Sequence, residues 1–494
     1  MLWLSLALIF GLGLTIRLYD LTDLPLDFHP TRQLHSVLMA RGMYYQNLPG
    51  IPDWQREMAV QQWKAEGLIE PPFMEWITAQ TYRLVGEQLW VARVYSIIFW
   101  LLGGIPLFLL ARTLSSGTDG GLIGLAYFLI LPYGAIASRA FQPDPLMTTL
   151  IIFCFWAAVR WHQTSSWKWA IAAGLLGGLA ILVKAVAVFF VGGGLIGLVL
   201  AGKGLRRALR EPQVWVATAL AVIPYGIFHI YGVYISGLLE SQFSLRFFPQ
   251  MWKDPVFYLR WNGQISSVVG FEWFLLGLLG TFLIKDKVQR AMMVGAWVGY
   301  FLYGMTLPYH ISTHDYYQVP FIPLVALGLA AGAELLLRNL RGARWVLYPL
   351  VIGVVLFAVT IKAWDVRVTL KRDDYRGEAA MWQKLGQELG PGASVVGLTH
   401  DYGYRLSYWG WVTPSNWLTS GDFNYRALAG QTFDMDQLFA EQTAGKDYFV
   451  VTLFNELESQ PELKSLLYNH YPILDETGDY IIFDLRHPTK PLGS

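Results

Sequence analysis

Gly178-Leu179-Ala180-Ile181-Leu182-Val183-Lys184-Ala185-Val186-Ala187-Val188-Phe189-Phe190 is the stretch on which the fold turns. Two readings compete. It is the middle of one long apolar helix with a lysine at its centre, or it joins two spans, 169–183 and 186–201, with Lys184 in a tight turn. A membrane span needs about 20 residues, with a usual range of roughly 17–25. Charge decides between the readings. With two spans, the short loops on one side of the bilayer hold Arg112; Arg160 and Lys168; Lys203, Arg206, Arg207 and Arg210; Lys285, Lys287 and Arg290; and Arg338, Arg341 and Arg344. The short turns on the other side hold little beyond Arg139 and Lys184. That asymmetry is what the positive-inside rule expects, and one merged span would invert every loop downstream. Lys184 therefore belongs to an outer turn. Arg17, at the outer end of the first span, is the one cation that disagrees, and it is read as tolerated near the headgroups.

The composition supports a multi-spanning membrane protein. Hydrophobic residues make up 54% of the chain and charged residues 15%, and the mean hydropathy is +0.37. Such a balance is rare in a soluble chain. Apolar segments near 1–18, 91–111, 121–136, 145–159, 169–183, 186–201, 214–235, 268–284, 291–307, 317–337 and 345–363 give about eleven spans. Residues 1–16 lack a positive n-region and a small-residue cleavage site, so they are read as a retained span. The 37 Lys and Arg balance 36 Asp and Glu, with no basic tract for nucleic acid. The lone cysteine, Cys154, excludes an intrachain disulfide. The many Trp and Tyr fit interfacial belts, with sugar-stacking platforms as a second reading.

Past Trp364 the chain turns polar. Residues 365–494 read as a small α/β domain, placed outside the membrane by the odd span count. Helices are expected near 375–389, 434–443 and 460–469, and strands near 393–398, 448–453 and 480–483. The expected division is thus a transmembrane domain over 1–364, with its first outer loop at about 20–85, and an extracytoplasmic domain over 365–494.

The polar segments that share the outer face hold the candidate chemistry. Leu24-Pro25-Leu26-Asp27-Phe28-His29-Pro30-Thr31-Arg32-Gln33 puts an acid, a histidine and an arginine between two prolines. Asp27 is a general-base candidate, or it caps a helix starting near Pro30. His29 binds a metal or a phosphate, or makes a loop hydrogen bond. Arg32 pairs with a phosphate or with a nearby acid. Glu70 precedes Pro71-Pro72 and an amphipathic stretch, Phe73 to Leu84; it shares Asp27's site or is an acid at a helix start. Asp144, in Ser138-Arg139-Ala140-Phe141-Gln142-Pro143-Asp144-Pro145, reads as a helix cap when taken alone. Lys184, with apolar flanks, suits a lipid phosphate. His310, His314, Asp315, Tyr316 and Tyr317 gather at another outer turn, with a spacing that matches no standard metal site.

In order, these pieces resemble the GT-C class of membrane glycosyltransferases, in the group of protein O-mannosyltransferases and aminoarabinose transferases. The resemblance rests on the acidic first loop with Ala40-Arg41 closing its first helix, Glu70-Pro71-Pro72, Ser138-Arg139 with Pro143-Asp144, Leu182-Val183-Lys184, and His314-Asp315-Tyr316-Tyr317 leading to Pro320. It covers roughly 1–335. The chain departs from it where many members carry an Asp-Glu pair in the first loop, and where their lysine is followed by Gly-Pro.

The resemblance implies a polyprenyl-phosphate sugar donor, an inverting transfer, and an active site at the extracytoplasmic face of the cell (inner) membrane. On that reading Asp27, with Glu70 beside it, serves the acceptor hydroxyl. Lys184 neutralises the leaving phosphate, with Arg139 or a divalent metal ion as candidate helpers. Asp144, His29, Arg32, His314, Tyr316 and Tyr317 complete the substrate contacts. The acceptor is a protein, a lipid or a glycan. The rival readings are a transporter or flippase for lipid-linked sugars, which calls for mid-bilayer polar residues and pseudo-symmetric halves, and a non-catalytic glycan-assembly protein.

Overall fold

The apolar segments fall largely on helices in the computed structural model, with 121–136 divided between helices 118–130 and 132–137. The structure describes residues 2–67, 69–237, 239, 246–340 and 346–490. Arg341, Arg344 and part of the 237–266 loop lie outside the described residues.

The chain divides into two compact units. The first comprises residues 1–22, 67–74 and 90–373. Among the described residues, five of its helices, at 90–115, 144–164, 212–235, 315–340 and 349–372, are long and apolar enough to cross a membrane singly. The helices 255–268 and 271–281 form a pair bent by 89°, a sixth crossing if taken as one span. Shorter apolar helices lie at 2–18, 118–130, 167–183 and 187–203. The chain is a multi-pass membrane protein with a mainly helical fold.

The break in the opening stretch falls at Lys184. Helix 167–183 ends there, Lys184 is extended, and helix 187–203 follows a turn. Without water, helices associate through close packing, which favours small residues. Helices 187–203 and 287–306 meet backbone to backbone: a methyl group on Gly193 would land on the carbonyl of Gly295, and the reverse holds. Helices 271–281 and 322–340 are as close: a methyl group on Gly328 would land on the carbonyl of Gly277, and one on Gly280 on that of Gly328.

The second unit comprises residues 23–66, 75–89 and 374–494. Division by compactness thus differs from division by composition. The polarity changes at Trp364, but its helix runs on to Arg372, and most of the first outer loop packs with the C-terminal segment. The sheet has the order β2-β1-β3-β5-β4, with β1 at Val395–Leu398, β2 at Ser415–Asn416, β3 at Tyr448–Val451, β4 at Ile473–Glu476 and β5 at Ile481–Asp484. Strands β2, β1 and β3 run parallel, and β5 pairs antiparallel with β3 and β4. The central strands β1 and β5 are buried throughout and β3 nearly so, which is why they read as short continuous apolar runs. Trp417, Phe439, Phe449 and Phe483 fill the core beneath them.

Candidate active site

In the first unit, Lys184 and Asp144 form a buried ion pair. Lys184 follows the last turn of helix 167–183, and Asp144 opens helix 144–164. The Lys184 Nζ donates to both carboxylate oxygens of Asp144, at 2.9 and 2.8 Å. The two side chains are 8% and 5% exposed. Asp144 makes no helix cap; the position before it is Pro143, which has no side-chain cap bond. The carboxylate is committed to the lysine instead.

Aromatic rings surround the pair. The Lys184 Nζ lies 5.1 Å from the Tyr316 ring centre and 5.5 Å from that of Tyr317. Tyr317 stacks on Tyr303 at 6.0 Å, and the His314 ring packs against Tyr316 at 5.6 Å. Burial, helped by Arg246 and His314, holds His310 down at about 3, so its imidazole stays neutral. Phe190 links Tyr303 to Tyr300, which borders an apolar cavity of about 470 Å³ lined also by Trp261, Ile265, Phe274 and Trp297.

Arg139 is buried and braces a turn: its guanidinium donates to the carbonyls of Tyr19 and Asp20 at 2.5 and 2.7 Å. Arg17 does not snorkel, as the sequence suggested. It is fully buried, with Nε donating to Ser138 Oγ and one terminal nitrogen donating to the carbonyls of Gly13 and Leu129, each at 2.7 Å. Burial with partners at three points explains a cation at this end of the helix. Glu70 lies half-buried in the bend before helix 73–85.

In the second unit, Asp27 sits half-buried on the 24–29 loop. Helix 30–45 starts after His29, whose side chain makes no cap bond. His29 adopts a left-handed backbone, φ 44°, and its ring packs edge-on against Phe28. Arg32 lies half-buried in the first helical turn.

Two further polar clusters lie in this unit, and of their residues the sequence had pointed only to Arg41. Arg41 Nε donates to Glu87 at 2.8 Å, its guanidinium lies 3.5 Å from the Tyr408 ring centre, and the Tyr408 hydroxyl donates to Glu87 at 2.7 Å. Glu66 accepts from the Tyr404 hydroxyl at 2.8 Å and lies 3.4 Å from His35 Nε2. Burial pushes the Glu66 carboxyl up to about 7, against the lowering effect of the Tyr404 bond. Among the described residues, no three His, Cys, Asp or Glu side chains converge to hold a metal ion.

Comparison with known proteins bears out, at the level of the fold, the resemblance to the GT-C class of membrane glycosyltransferases. A family model described as dolichyl-phosphate-mannose-protein mannosyltransferase matches residues 69–229. Among solved structures, the chain is similar to ArnT from Cupriavidus metallidurans bound to undecaprenyl phosphate, with a TM-score of 0.60, 18% identity and 97% of each chain covered. It is also similar to the Archaeoglobus fulgidus oligosaccharyltransferase in complex with Zn and sulfate, with a TM-score of 0.57, 11% identity, and 97% of this chain and 73% of that one covered. A third, the Archaeoglobus fulgidus oligosaccharyltransferase AglB with an inhibitory peptide and a dolichol-phosphate, aligns at a TM-score of 0.53 and 13% identity, over 100% of this chain and 75% of that one. No curated protein matches the sequence. At these identities the shared property is the fold.

Proposed function

We propose that this protein is an inverting membrane glycosyltransferase that moves one monosaccharide from a polyprenyl-phosphate carrier to an extracytoplasmic protein, lipid or glycan. The observation that carries the reading is the buried Lys184–Asp144 pair, walled by Tyr316 and Tyr317. A cation held ready among apolar groups suits a phosphate attached to a lipid. Three of the solved structures it resembles are complexes with undecaprenyl phosphate, with sulfate and with dolichol-phosphate.

In the proposed reaction, Asp27 takes the proton of the acceptor hydroxyl, with Glu70 as the second candidate base. The hydroxyl oxygen attacks the anomeric carbon opposite the phosphate, and the bond from that carbon to the phosphate oxygen breaks. The carrier phosphate leaves with an extra negative charge, which Lys184 neutralises without needing to give up a proton. In the resting enzyme Asp144 occupies Lys184, so phosphate entry loosens that pair. Arg139 fixes the outer turn between 138 and 144, and His29, Arg32, His314, Tyr316 and Tyr317 are the remaining candidate contacts. The apolar cavity beside Tyr300 suits the carrier tail. The proposed topology has about eleven spans in the inner membrane, a cytoplasmic N-terminus and the 365–494 segment outside. A divalent metal ion remains a candidate helper in the transfer.

The test is transfer by purified protein in lipid nanodiscs, using a panel of radiolabelled undecaprenyl-phosphate hexoses and pentoses with envelope extract as acceptor. Label moving to extract components supports the reading. Intact donors throughout the panel, with folded protein, contradict it.

A further inference from the structure

The loop that carries Asp27 is held from several sides within its own unit. Gln33, fully buried in the first turns of helix 30–45, donates its amide to the carbonyls of Phe28 at 2.6 Å and Pro25 at 3.2 Å. These carbonyls lie on either side of Asp27 in the chain. Asp23, also buried, accepts from the backbone N–H of Leu24 at 2.8 Å and from that of Tyr375 at 3.2 Å. Inside the loop, the Leu26 N–H closes a tight turn onto the Leu24 carbonyl.

The sheet supplies a further hold. Just past β1, Asp401 and Tyr402 both take left-handed backbones, φ 52° and 53°, ahead of Gly403 at φ 77°. Side chains resist this region, so it persists only where the surroundings enforce it. The turn aims Asp401 at the start of helix 30–45. Its carboxylate accepts from the Thr31 hydroxyl at 2.9 Å and from Arg405 Nε at 2.5 Å. Thr31 is two residues from His29, whose own backbone is left-handed. Strain therefore sits on both sides of the Thr31–Asp401 bond, and the bond ties the loop exit to the sheet.

We propose that Gln33 and Asp401 are positioning residues for Asp27: Gln33 fixes the loop from its own helix, and the strained 401–403 turn fixes it from the sheet. The inference rests on reading Asp27 as the base. It gives the C-terminal sheet a part in the rate of transfer, through one side chain. A base displaced by about 1 Å loses on the order of a hundredfold in rate. The principal phosphate contact proposed above is Lys184, which is not part of this loop, so donor affinity is expected to change less than the rate of transfer.

The test uses full-length protein in nanodiscs, with the variants Gln33→Met, Thr31→Val and Thr31→Ser. Amide exchange at Leu26, Asp27, Phe28 and His29 is read beside kcat and KM for undecaprenyl-phosphate sugar. Gln33→Met and Thr31→Val are expected to speed loop exchange and to lower kcat by about 10–100-fold, with donor KM changed less than about threefold. Thr31→Ser, which keeps the hydroxyl, is expected to restore parental values. Should Gln33→Met fail to fold, Thr31→Val carries the test. Parental loop exchange in the folded variants, or a parental kcat with a loosened loop, overturns the proposal. Parental transfer by Asp27→Asn defeats the base reading alone, and the exchange comparison still decides whether Gln33 and Asp401 hold the loop.

Discussion

The Lys184 ammonium and the Asp144 carboxylate meet at 2.8 Å although they lie 40 residues apart in the chain. They sit at opposite ends of two helices: Lys184 closes one and Asp144 opens the other. Neither is readily hydrated, so each depends on the other.

Removing one member should show that dependence. Asp144→Asn leaves a buried ammonium without its counter-charge, and breaking a buried pair this way costs about 3–5 kcal/mol. Thermal unfolding of the purified protein should fall markedly, and saturating undecaprenyl phosphate should recover part of the loss by supplying a new anion. The double variant Lys184→Met with Asp144→Asn should be more stable than Asp144→Asn alone. Equal melting of Asp144→Asn and the parent would mean the pair is not formed in the membrane.

Glu66 should give the second unit a pH dependence. Its carboxyl is raised by burial from 4.5 to about 7, so the folded protein holds a proton that the unfolded chain releases. Between these values the folded state binds more protons, and stability must fall as pH rises through the window. The full effect is at most about 3 kcal/mol, from 1.36 kcal/mol per pKa unit. Melting measured from about pH 5 to pH 7.5 should decline for the parent and flatten for Glu66→Gln. Parallel curves would remove Glu66 as the cause.

The topology should be readable from thiol labelling. In a Cys154→Ala background, Glu462→Cys should react with an impermeant reagent on intact spheroplasts. Lys285→Cys should react only after permeabilisation. Both residues are exposed in the structure. Labelling of Lys285→Cys in intact spheroplasts would invert the proposed orientation.

Asp27→Asn separates base from bystander. The asparagine has nearly the same shape but no basic site at neutral pH. Loss of a general base costs about 10²–10⁴-fold in rate. Transfer should fall by at least the lower figure while donor affinity holds. The same loss in Glu70→Gln would leave two candidate bases, and a parental rate in Asp27→Asn would move the search to Glu70.

The helices were legible because composition writes them. A run of apolar residues near bilayer length has few alternatives, and the charge asymmetry of the loops settled the break at Lys184. Strands β1, β3 and β5 were legible as short apolar runs between turns. Strand β2 has only two residues, and β4, Ile473-Leu474-Asp475-Glu476, is an edge strand without alternation, so neither left a pattern. The site was legible only in its residue types. Lys184 stood out as a cation among apolar neighbours, but its partner looked like a helix cap. Asp401 gave no local signal because its partner Thr31 is 370 residues away in the chain, and Gln33 gave none because its bonds to the Phe28 and Pro25 carbonyls depend on how the loop folds back. Arg17 did carry a signal: it broke the positive-inside pattern, and a cation that breaks it is a candidate for burial with partners.

The most direct test of the account is the affinity of undecaprenyl phosphate for the parent and for Lys184→Met, titrated calorimetrically in matched nanodiscs. A hydrogen bond to a charged group contributes about 1.5–3 kcal/mol, so the account predicts binding weaker by about 10–150-fold, with Lys184→Arg keeping part of the affinity. An unchanged dissociation constant in folded Lys184→Met would contradict it.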